Sequence, residues 1–218
     1  MKISLLQPHI QRGDIINNRK HIQTLINQAE GDLLVLPEYG LTGSLTLENS
    51  PEPFAWAEKC AREKENLKLA SGKFLMVNSL VMFADGLRNC CELLPTTDHY
   101  CKLFPDKTEL QAGVLPGLEF KIFSLEGKRF SVLICFDLPN IMKIPMPELD
   151  FLLFIYHFTP QNFSRVMEEV KEANHLLNLP ILISSLVSDY NHGHSAFVNQ
   201  NLVITLGRQA GILEINLE

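Results

Sequence analysis

The stretch Asp32-Leu33-Leu34-Val35-Leu36 decides the fold class of this chain. A nearly continuous apolar run of this length is typical of a strand that is covered on both faces of its sheet. Upstream, Asp14 is a good N-cap, and apolar residues then recur at helical spacing as far as Glu30-Gly31, where a glycine commonly ends a helix. Residues 2–6 form a short apolar strand before that helix. Residues 2–36 therefore predict a β-α-β unit with parallel strands.

The second half of the chain repeats this order of elements. Residues 151–155 have the pattern of a buried strand, residues 161–178 that of an amphipathic helix, and residues 181–186 that of a following strand. A further helix is predicted from Ser50-Pro51 to about Gly72. The other predicted strands are 74–83, a run through 99–101, 119–124, 129–134, 195–199, 202–206 and 212–215, with hairpin turns at Asp85-Gly86 and Glu126-Gly127.

Two β-α-β units that flank β-hairpins predict an α/β protein with two mixed sheets and with helices outside the sheets. A chain of 218 residues is long enough for one sizeable core. The sequence contains no linker, repeat or low-complexity segment. One domain over residues 1–218 is the simplest organisation.

Composition excludes several classes of function. The formal net charge is −6, and the absence of any basic run argues against a nucleic-acid-binding surface. No apolar run approaches the roughly 20 residues needed to cross a bilayer. The apolar stretch at the amino terminus is too short for a signal peptide. We therefore expect a protein of the cytoplasm that does not associate with membranes.

One of the five cysteines stands apart from the others by its position. The cysteines, at positions 60, 90, 91, 101 and 135, form no CxxC pair, and their count is odd. Without an export signal this favours reduced thiols over a disulfide framework. Cys135 directly follows the apolar run 130–134, and open α/β sheets place their binding crevices at such carboxyl ends of strands.

Glu38 and Lys102 hold comparable positions at the ends of two earlier predicted strands. A cysteine thiol becomes a nucleophile only as the thiolate, so it needs a nearby base or cation. Glu38 is suited to take the proton, and Lys102 is suited to favour the thiolate and then the oxyanion of a tetrahedral intermediate. The three residues supply what acyl transfer requires without His or Ser.

In these segments the sequence resembles the nitrilase, or carbon–nitrogen hydrolase, superfamily. The resemblance covers nearly the whole chain and is carried by Leu36-Pro37-Glu38-Tyr39-Gly40-Leu41-Thr42-Gly43, Tyr100-Cys101-Lys102-Leu103-Phe104, Leu133-Ile134-Cys135-Phe136-Asp137 and Gly193-His194-Ser195-Ala196-Phe197. It implies a four-layer αββα sandwich that pairs with a second copy as a homodimer or larger homo-oligomer. It also implies hydrolysis of a small amide or N-carbamoyl compound, without a cofactor or metal.

The resemblance also assigns roles to individual residues. Glu38 resembles the family's general base, Lys102 its transition-state lysine and Cys135 its nucleophile. Glu109 resembles a second glutamate that supports the lysine, and it competes for that role with Glu92, Glu119 and Glu126. The backbone N–H of Phe136 would complete an oxyanion hole with Lys102.

Two departures from the family pattern keep other functions open. Leu138-Pro139-Asn140 stands where members commonly have an Arg-aromatic-Pro-Glu stretch, and Lys171-Glu172-Ala173-Asn174 stands where an Arg-Ala-x-Glu-Asn signature is expected. These losses motivate a first alternative, a binding protein that kept the fold and lost catalysis. A second alternative is a metal-dependent enzyme that uses His192 and His194, for which no third ligand is evident.

Overall fold

The computed structural model describes residues 1–44, 53–96 and 98–217. Within these ranges the helices are α1 (Ile15–Gln28), α2 (Pro53–Glu65), α3 (Lys107–Gln111) and α4 (Phe163–Leu177), with a 3₁₀ helix at Cys135–Lys143. The strands are β1 (Lys2–Gln7), β2 (Leu33–Val35), β3 (Phe74–Phe83), β4 (Gly86–Leu94), β5 (Asp98–Cys101), β6 (Phe123–Leu125), β7 (Lys128–Ile134), β8 (Phe151–Ile155), β9 (Ile181–Ser184), β10 (Ala196–Asn199), β11 (Leu202–Thr205) and β12 (Gly211–Asn216).

The strands form two mixed six-stranded sheets, as predicted. The first sheet has the order β12-β1-β2-β3-β4-β5, and the second has the order β11-β10-β9-β8-β7-β6. In each sheet three neighbouring strands are parallel: β1, β2 and β3 in the first, and β7, β8 and β9 in the second. The remaining strands are antiparallel to their neighbours.

Three buried clusters of side chains separate four layers. The first joins α1 to the outer face of the first sheet, where Ile22 and Val77 are both buried. The second lies between the two sheets and includes Val35 and Val132. The third joins the second sheet to α4, whose Val170 is fully buried. Successive residues of β2 point into different clusters, which explains why its sequence is apolar without alternation.

Most of the predicted elements are confirmed, with differences at their ends. Asp14 caps α1 by accepting a hydrogen bond from the backbone N–H of Asn17. The predicted role of Gly31 as a helix cap is wrong, because α1 ends at Gln28 with Ala29 as its C-cap. A Cβ at Gly31 would lie 2.5 Å from the Ser4 hydroxyl oxygen. Gly31 is therefore needed for a close approach to β1. The strand predicted at 119–124 is shorter, and the predicted start of α2 at Ser50-Pro51 lies outside the described residues.

The expectation that all five thiols are reduced is wrong for one pair. Cys90 of β4 and Cys101 of β5 lie opposite each other in the antiparallel register and are joined by a disulfide. Cys60, Cys91 and Cys135 are free. Sequence spacing gave no sign of this pair, because the two cysteines meet only once the hairpin has set its register.

We expect the unreduced, denatured protein to titrate three thiols with a chromogenic disulfide reagent, and the reduced protein to titrate five. Reduction should also lower the free energy of unfolding by about 2–3 kcal/mol, since the bridge closes a short loop in the unfolded chain. Urea denaturation with and without reductant measures that difference. Five thiols in the unreduced sample would contradict the bridge.

Across the described ranges, no helix combines the length and the apolar character that a membrane span requires.

Candidate active site

The predicted site residues lie where strands of both sheets end. Glu38 follows β2, Lys102 directly follows β5, and Cys135 directly follows β7 at the start of the 3₁₀ helix. Cys135 has a backbone φ of 46°, a left-handed conformation that costs a non-glycine residue about 1–3 kcal/mol. This sharp turn between strand and helix presents the thiol at the sheet edge.

Lys102 lies between two carboxylates. Its Nζ atom is 2.7 Å from Oε2 of Glu109 and 3.3 Å from Oε1 of Glu38. All three side chains are almost fully buried, at 4% exposure or less. A buried ammonium with two carboxylate partners remains charged and held in one geometry.

The charges around Lys102 outweigh its burial. Burial alone lowers the pKa of a lysine, because the interior solvates its charge poorly. Here the negative charge of Glu38, that of Cys135 whenever it is a thiolate, and that of Glu109 raise the pKa of Lys102 well above its ordinary value. Lys102 is therefore an ammonium throughout the physiological pH range.

Glu109 is fixed by the first turn of α3. Its backbone N–H donates to the Asp106 side chain, and its own Oε2 accepts from the Asp106 backbone N–H, both at 2.9 Å. This reciprocal capping box satisfies two backbone donors at the helix start. The Tyr39 hydroxyl donates to the other oxygen of Glu109 at 2.9 Å. Of the four glutamates considered from the sequence, Glu109 is the one that contacts Lys102.

A close backbone approach holds the lysine segment. The Gly117 N–H donates to the Lys102 carbonyl at 2.7 Å. A Cβ at Gly117 would lie 2.1 Å from the Cys101 carbonyl oxygen, so any other residue would push the two segments apart. The segment at Pro116-Gly117 thus packs directly against the backbone of Lys102.

Asn89 also belongs to the site, although the sequence analysis did not select it. Its Nδ2 atom donates to Oε1 of Glu38 at 2.9 Å and to Oε1 of Glu109 at 2.8 Å. The sequence signal was a polar residue in the buried strand β4, flanked by Arg88 and the two cysteines. An uncharged amide among apolar neighbours is buried only with hydrogen-bond partners, and those partners point to the site.

The Cys135 thiol is protonated in the resting site. Burial raises the pKa of Cys135 above its ordinary value, the charge of Glu38 raises it further, and Lys102 lowers it by less. We expected Lys102 to favour the thiolate. Its lowering effect on the pKa of Cys135 is smaller than the raising effects of burial and of Glu38. Removal of the thiol proton requires an acceptor at the site.

Asp137 holds the turn that carries Cys135. One carboxylate oxygen accepts from the Ile134 N–H at 3.0 Å and from the Tyr100 hydroxyl at 2.8 Å, and the other accepts from the Phe104 N–H at 3.0 Å. Burial raises the pKa of Asp137 to about 6, although the Ile134, Tyr100 and Phe104 donors favour the ionised form. The carboxylate thereby ties the nucleophile turn to the segments before and after Lys102.

A small cavity of about 50 Å³ opens beside Cys135. Phe136, whose side chain is 48% exposed, lies at this cavity together with Phe154 and Tyr156. A larger groove of about 950 Å³ lies between α2 and the strands β3 and β4. That groove contains none of the predicted site residues, whereas the small cavity is lined by Cys135 and Phe136 but not by Glu38, Lys102 or Glu109.

The ring of His194 is engaged in packing, and the backbone of His192 is held by a hydrogen bond. The ring of His194 lies 4.2 Å from that of Phe163, and the His192 N–H donates to the Phe158 carbonyl. Among the described residues, no group of three His, Cys, Asp or Glu side chains is arranged to hold a metal ion. His157 lies nearer the site, where its Nε2 contacts the Glu38 carbonyl.

The chain is similar to known proteins in its structure, whereas comparisons of its sequence found no match. No protein-family model matches the chain, and none of the curated proteins matches it. An amidase of the nitrilase superfamily from Nesterenkonia AN1, in a mutant form, superposes with a TM-score of 0.85 at 17% identity over 100% of this chain and 92% of the amidase. A CN-hydrolase superfamily protein from Xanthomonas campestris, with an arsenic adduct in its active site, has a TM-score of 0.77 at 16% identity over 99% and 89%.

A larger enzyme shares the same fold over part of its length. Glutamine-dependent NAD⁺ synthetase from Acinetobacter baumannii has a TM-score of 0.79 at 19% identity over 98% of this chain. This chain spans 44% of the length of that enzyme. At such identities the likeness concerns the fold.

Proposed function

We propose that this chain, which has the fold of the nitrilase superfamily, is a thiol-dependent hydrolase of non-peptide carbon–nitrogen bonds. Its substrates are small amides or N-carbamoyl compounds. The observation that carries the proposal is the buried Lys102 held by Glu38 and Glu109 at 3.3 and 2.7 Å, next to a thiol at a strand end. A buried cation between two carboxylates beside a strained thiol is costly for a protein that only binds.

In the first step Glu38 accepts the thiol proton, and Sγ of Cys135 forms a bond to the substrate carbonyl carbon. Because Lys102 and Asn89 both bind Oε1 of Glu38, we assign the proton transfer to Oε2. The carbonyl oxygen becomes an oxyanion. The carbon–nitrogen bond then breaks, and the leaving nitrogen takes the proton from Glu38, which gives a thioester and ammonia or an amine.

The oxyanion has two proposed partners. The Lys102 ammonium supplies a fixed positive charge, and the backbone N–H of Phe136 lies in the first turn of the 3₁₀ helix, where N–H groups have no acceptor within the helix. In the second step Glu38 takes a proton from water, and the water oxygen attacks the thioester carbon. The carbon–sulfur bond breaks, Sγ of Cys135 regains a proton, and the acid leaves.

The cavity size and lining limit the substrate. A space of about 50 Å³ holds only a small acyl group, and Phe136, Phe154 and Tyr156 give it an aromatic wall. This supports a short-chain amide or ureide over a large conjugate. Screening such compounds for ammonia release tests the proposal, and release that requires Cys135 supports it.

We expect Cys135 to be the thiol that mild iodoacetamide labels first. Cys60 and Cys91 are buried and Cys90 and Cys101 are bridged, whereas Cys135 is half-buried and lines a cavity. Since the pKa of Cys135 is raised, its labelling rate should go on rising above about pH 8.5, the ordinary thiol pKa. Peptide mapping after timed labelling measures both effects.

Labelling and turnover together separate catalysis from the alternative of a binding protein. A binding protein that lost catalysis would release no ammonia from any small amide and would label Cys135 no faster than its other free thiols. Equal labelling of Cys60 or Cys91 would contradict the assignment of Cys135. The substitutions around Leu138-Pro139-Asn140 motivate this alternative and make the comparison necessary.

We also propose that the protein acts as a homodimer or larger homo-oligomer, which the family resemblance implies. The chain mass is 24.7 kDa, so light scattering distinguishes a monomer from these assemblies directly. The cytoplasmic location stays a prediction from the sequence, and the Cys90–Cys101 disulfide counts against it, because disulfides are rare in that compartment.

A further inference from the structure

We propose that Asn89, oriented by Asn78, is a positioning residue that aligns the base and the lysine of the active site. This inference rests on the proposed function, because it assigns a role within the same reaction. Both asparagines are fully buried, on the neighbouring antiparallel strands β3 and β4. Apolar residues occupy most of the buried positions around them, so two buried amides at these positions call for a specific explanation.

A backbone N–H, which can only donate, fixes the orientation of both asparagine amides. The backbone N–H of Tyr39 donates to Oδ1 of Asn78 at 2.8 Å. The amide nitrogen of Asn78 must then point the other way, and it donates to Oδ1 of Asn89 at 2.7 Å. The amide nitrogen of Asn89 is left to face the carboxylates. The Tyr39 N–H thus orients the Asn78 side chain, and Asn78 in turn orients the Asn89 side chain.

Asn89 bridges the two carboxylates that hold Lys102. It donates to Oε1 of Glu38 and to Oε1 of Glu109, and an amide nitrogen has two hydrogens to give. Two buried carboxylates this close repel each other, and a shared donor offsets part of that repulsion. The backbone carbonyl of Asn89 also accepts from the Lys102 N–H at 2.8 Å. Asn89 therefore fixes all three charged partners relative to one another.

These contacts determine which oxygen of Glu38 can act in the reaction. Asn89 and Lys102 both occupy Oε1 of Glu38, so the carboxylate cannot rotate freely and Oε2 stays directed toward the reacting atoms. Asn89 itself touches neither thiol nor substrate in this arrangement. Its loss should slow the proton transfer from Cys135 without weakening substrate binding.

Asn89→Leu removes the donor at similar volume and should lower kcat by about 10- to 100-fold while KM changes by less than about threefold. Iodoacetamide labelling of Cys135 should slow by about tenfold, because the same base assists that reaction. Asn78→Asp keeps the contact with the Tyr39 N–H but places an acceptor against Oδ1 of Asn89. The Asn89 amide should then flip, and kcat should fall to the same degree.

The matched control is Asn174→Leu. Asn174 is also buried, at 2% exposure, and its amide bonds to the Leu179 carbonyl and the Gln200 N–H, away from the site. This variant should lose thermal stability while kcat and Cys135 labelling stay within about threefold of the wild type. If Asn89→Leu and Asn78→Asp change kcat and labelling no more than this control does, the positioning role is refuted.

The two readouts separate this inference from the proposed function. If the wild type hydrolyses no amide, the proposed function fails, and the labelling rates alone decide whether Asn89 aligns Glu38 with the thiol. If Asn89→Leu does not fold, the nearly isosteric Asn78→Asp decides by the same rates. Slower labelling in Asn78→Asp with an unchanged rate in Asn174→Leu supports the inference, and equal rates overturn it.

Discussion

Cys135→Ala is expected to lower the turnover of any amide substrate by about 10⁴-fold or more, because no thioester forms without the sulfur atom. Only one atom is lost at the start of the 3₁₀ helix, so the free energy of unfolding should change by about 1–2 kcal/mol. Alanine and cysteine both have a Cβ, so the left-handed conformation of residue 135 should cost about the same in the variant. Ammonia release and urea denaturation measure the two effects separately.

Cys60→Ala is the matched control for this prediction. Cys60 is a free, buried thiol on α2, remote from the cavity beside Cys135. Its replacement should reduce stability by a similar amount and leave turnover unchanged within about threefold. A Cys135→Ala protein that retained a tenth of the turnover would mean that another group acts as the nucleophile.

Glu109→Gln is expected to lower kcat by about 100-fold or more while Cys135 can still be labelled. The amide keeps the shape of the carboxylate but loses the charge that helps to hold Lys102 at 2.7 Å. Its NH₂ group also replaces one carboxylate oxygen and then faces donors, either the Tyr39 hydroxyl and the Asn89 amide at Oε1 or the Lys102 ammonium and the Asp106 N–H at Oε2. A lysine that has moved cannot stabilise the oxyanion.

Glu92→Gln serves as the control for charge removal. Glu92 forms an ion pair with Lys64 beneath α2, and neither residue contacts Lys102. We expect its kcat to remain within about threefold of the wild type. Near wild-type kcat in Glu109→Gln would remove the second glutamate from the mechanism and leave Glu38, Lys102 and Cys135 as the proposed set.

The fold was predictable because its signals are local and strong. The apolar runs at β2, β8 and β9, each next to a helical repeat, predicted parallel strands covered on both sides. The Asp85-Gly86 turn predicted the hairpin of β3 and β4. Element ends were less predictable, since Gly31 is required by contact with Ser4, which lies 27 residues earlier in the chain. A contact between residues so far apart cannot be predicted from the residues next to Gly31.

The site was predictable in part, for a related reason. Glu38, Lys102 and Cys135 stand at strand ends, and family resemblance linked them before any geometry was known. Asn89 stands inside a strand, where the sequence marks it only as a polar residue of β4. Its importance depends on Glu38 and Glu109, which come from a loop and a short helix far away in the chain. The Cys90–Cys101 pairing was missed similarly, because it depends on register.

The pairing of β12 with β1 bears on how this protein is made. Lys2 of β1 lies opposite Asn216 of β12, so one edge of the first sheet joins residues that are far apart in the chain. A growing chain on the ribosome can form the β3–β4 hairpin early, because its contacts are local. It cannot complete the sheet that carries Glu38, Asn89 and Lys102 until residues 211–216 have left the exit tunnel. The pairing of β1 with β12 should therefore form only after translation of that strand.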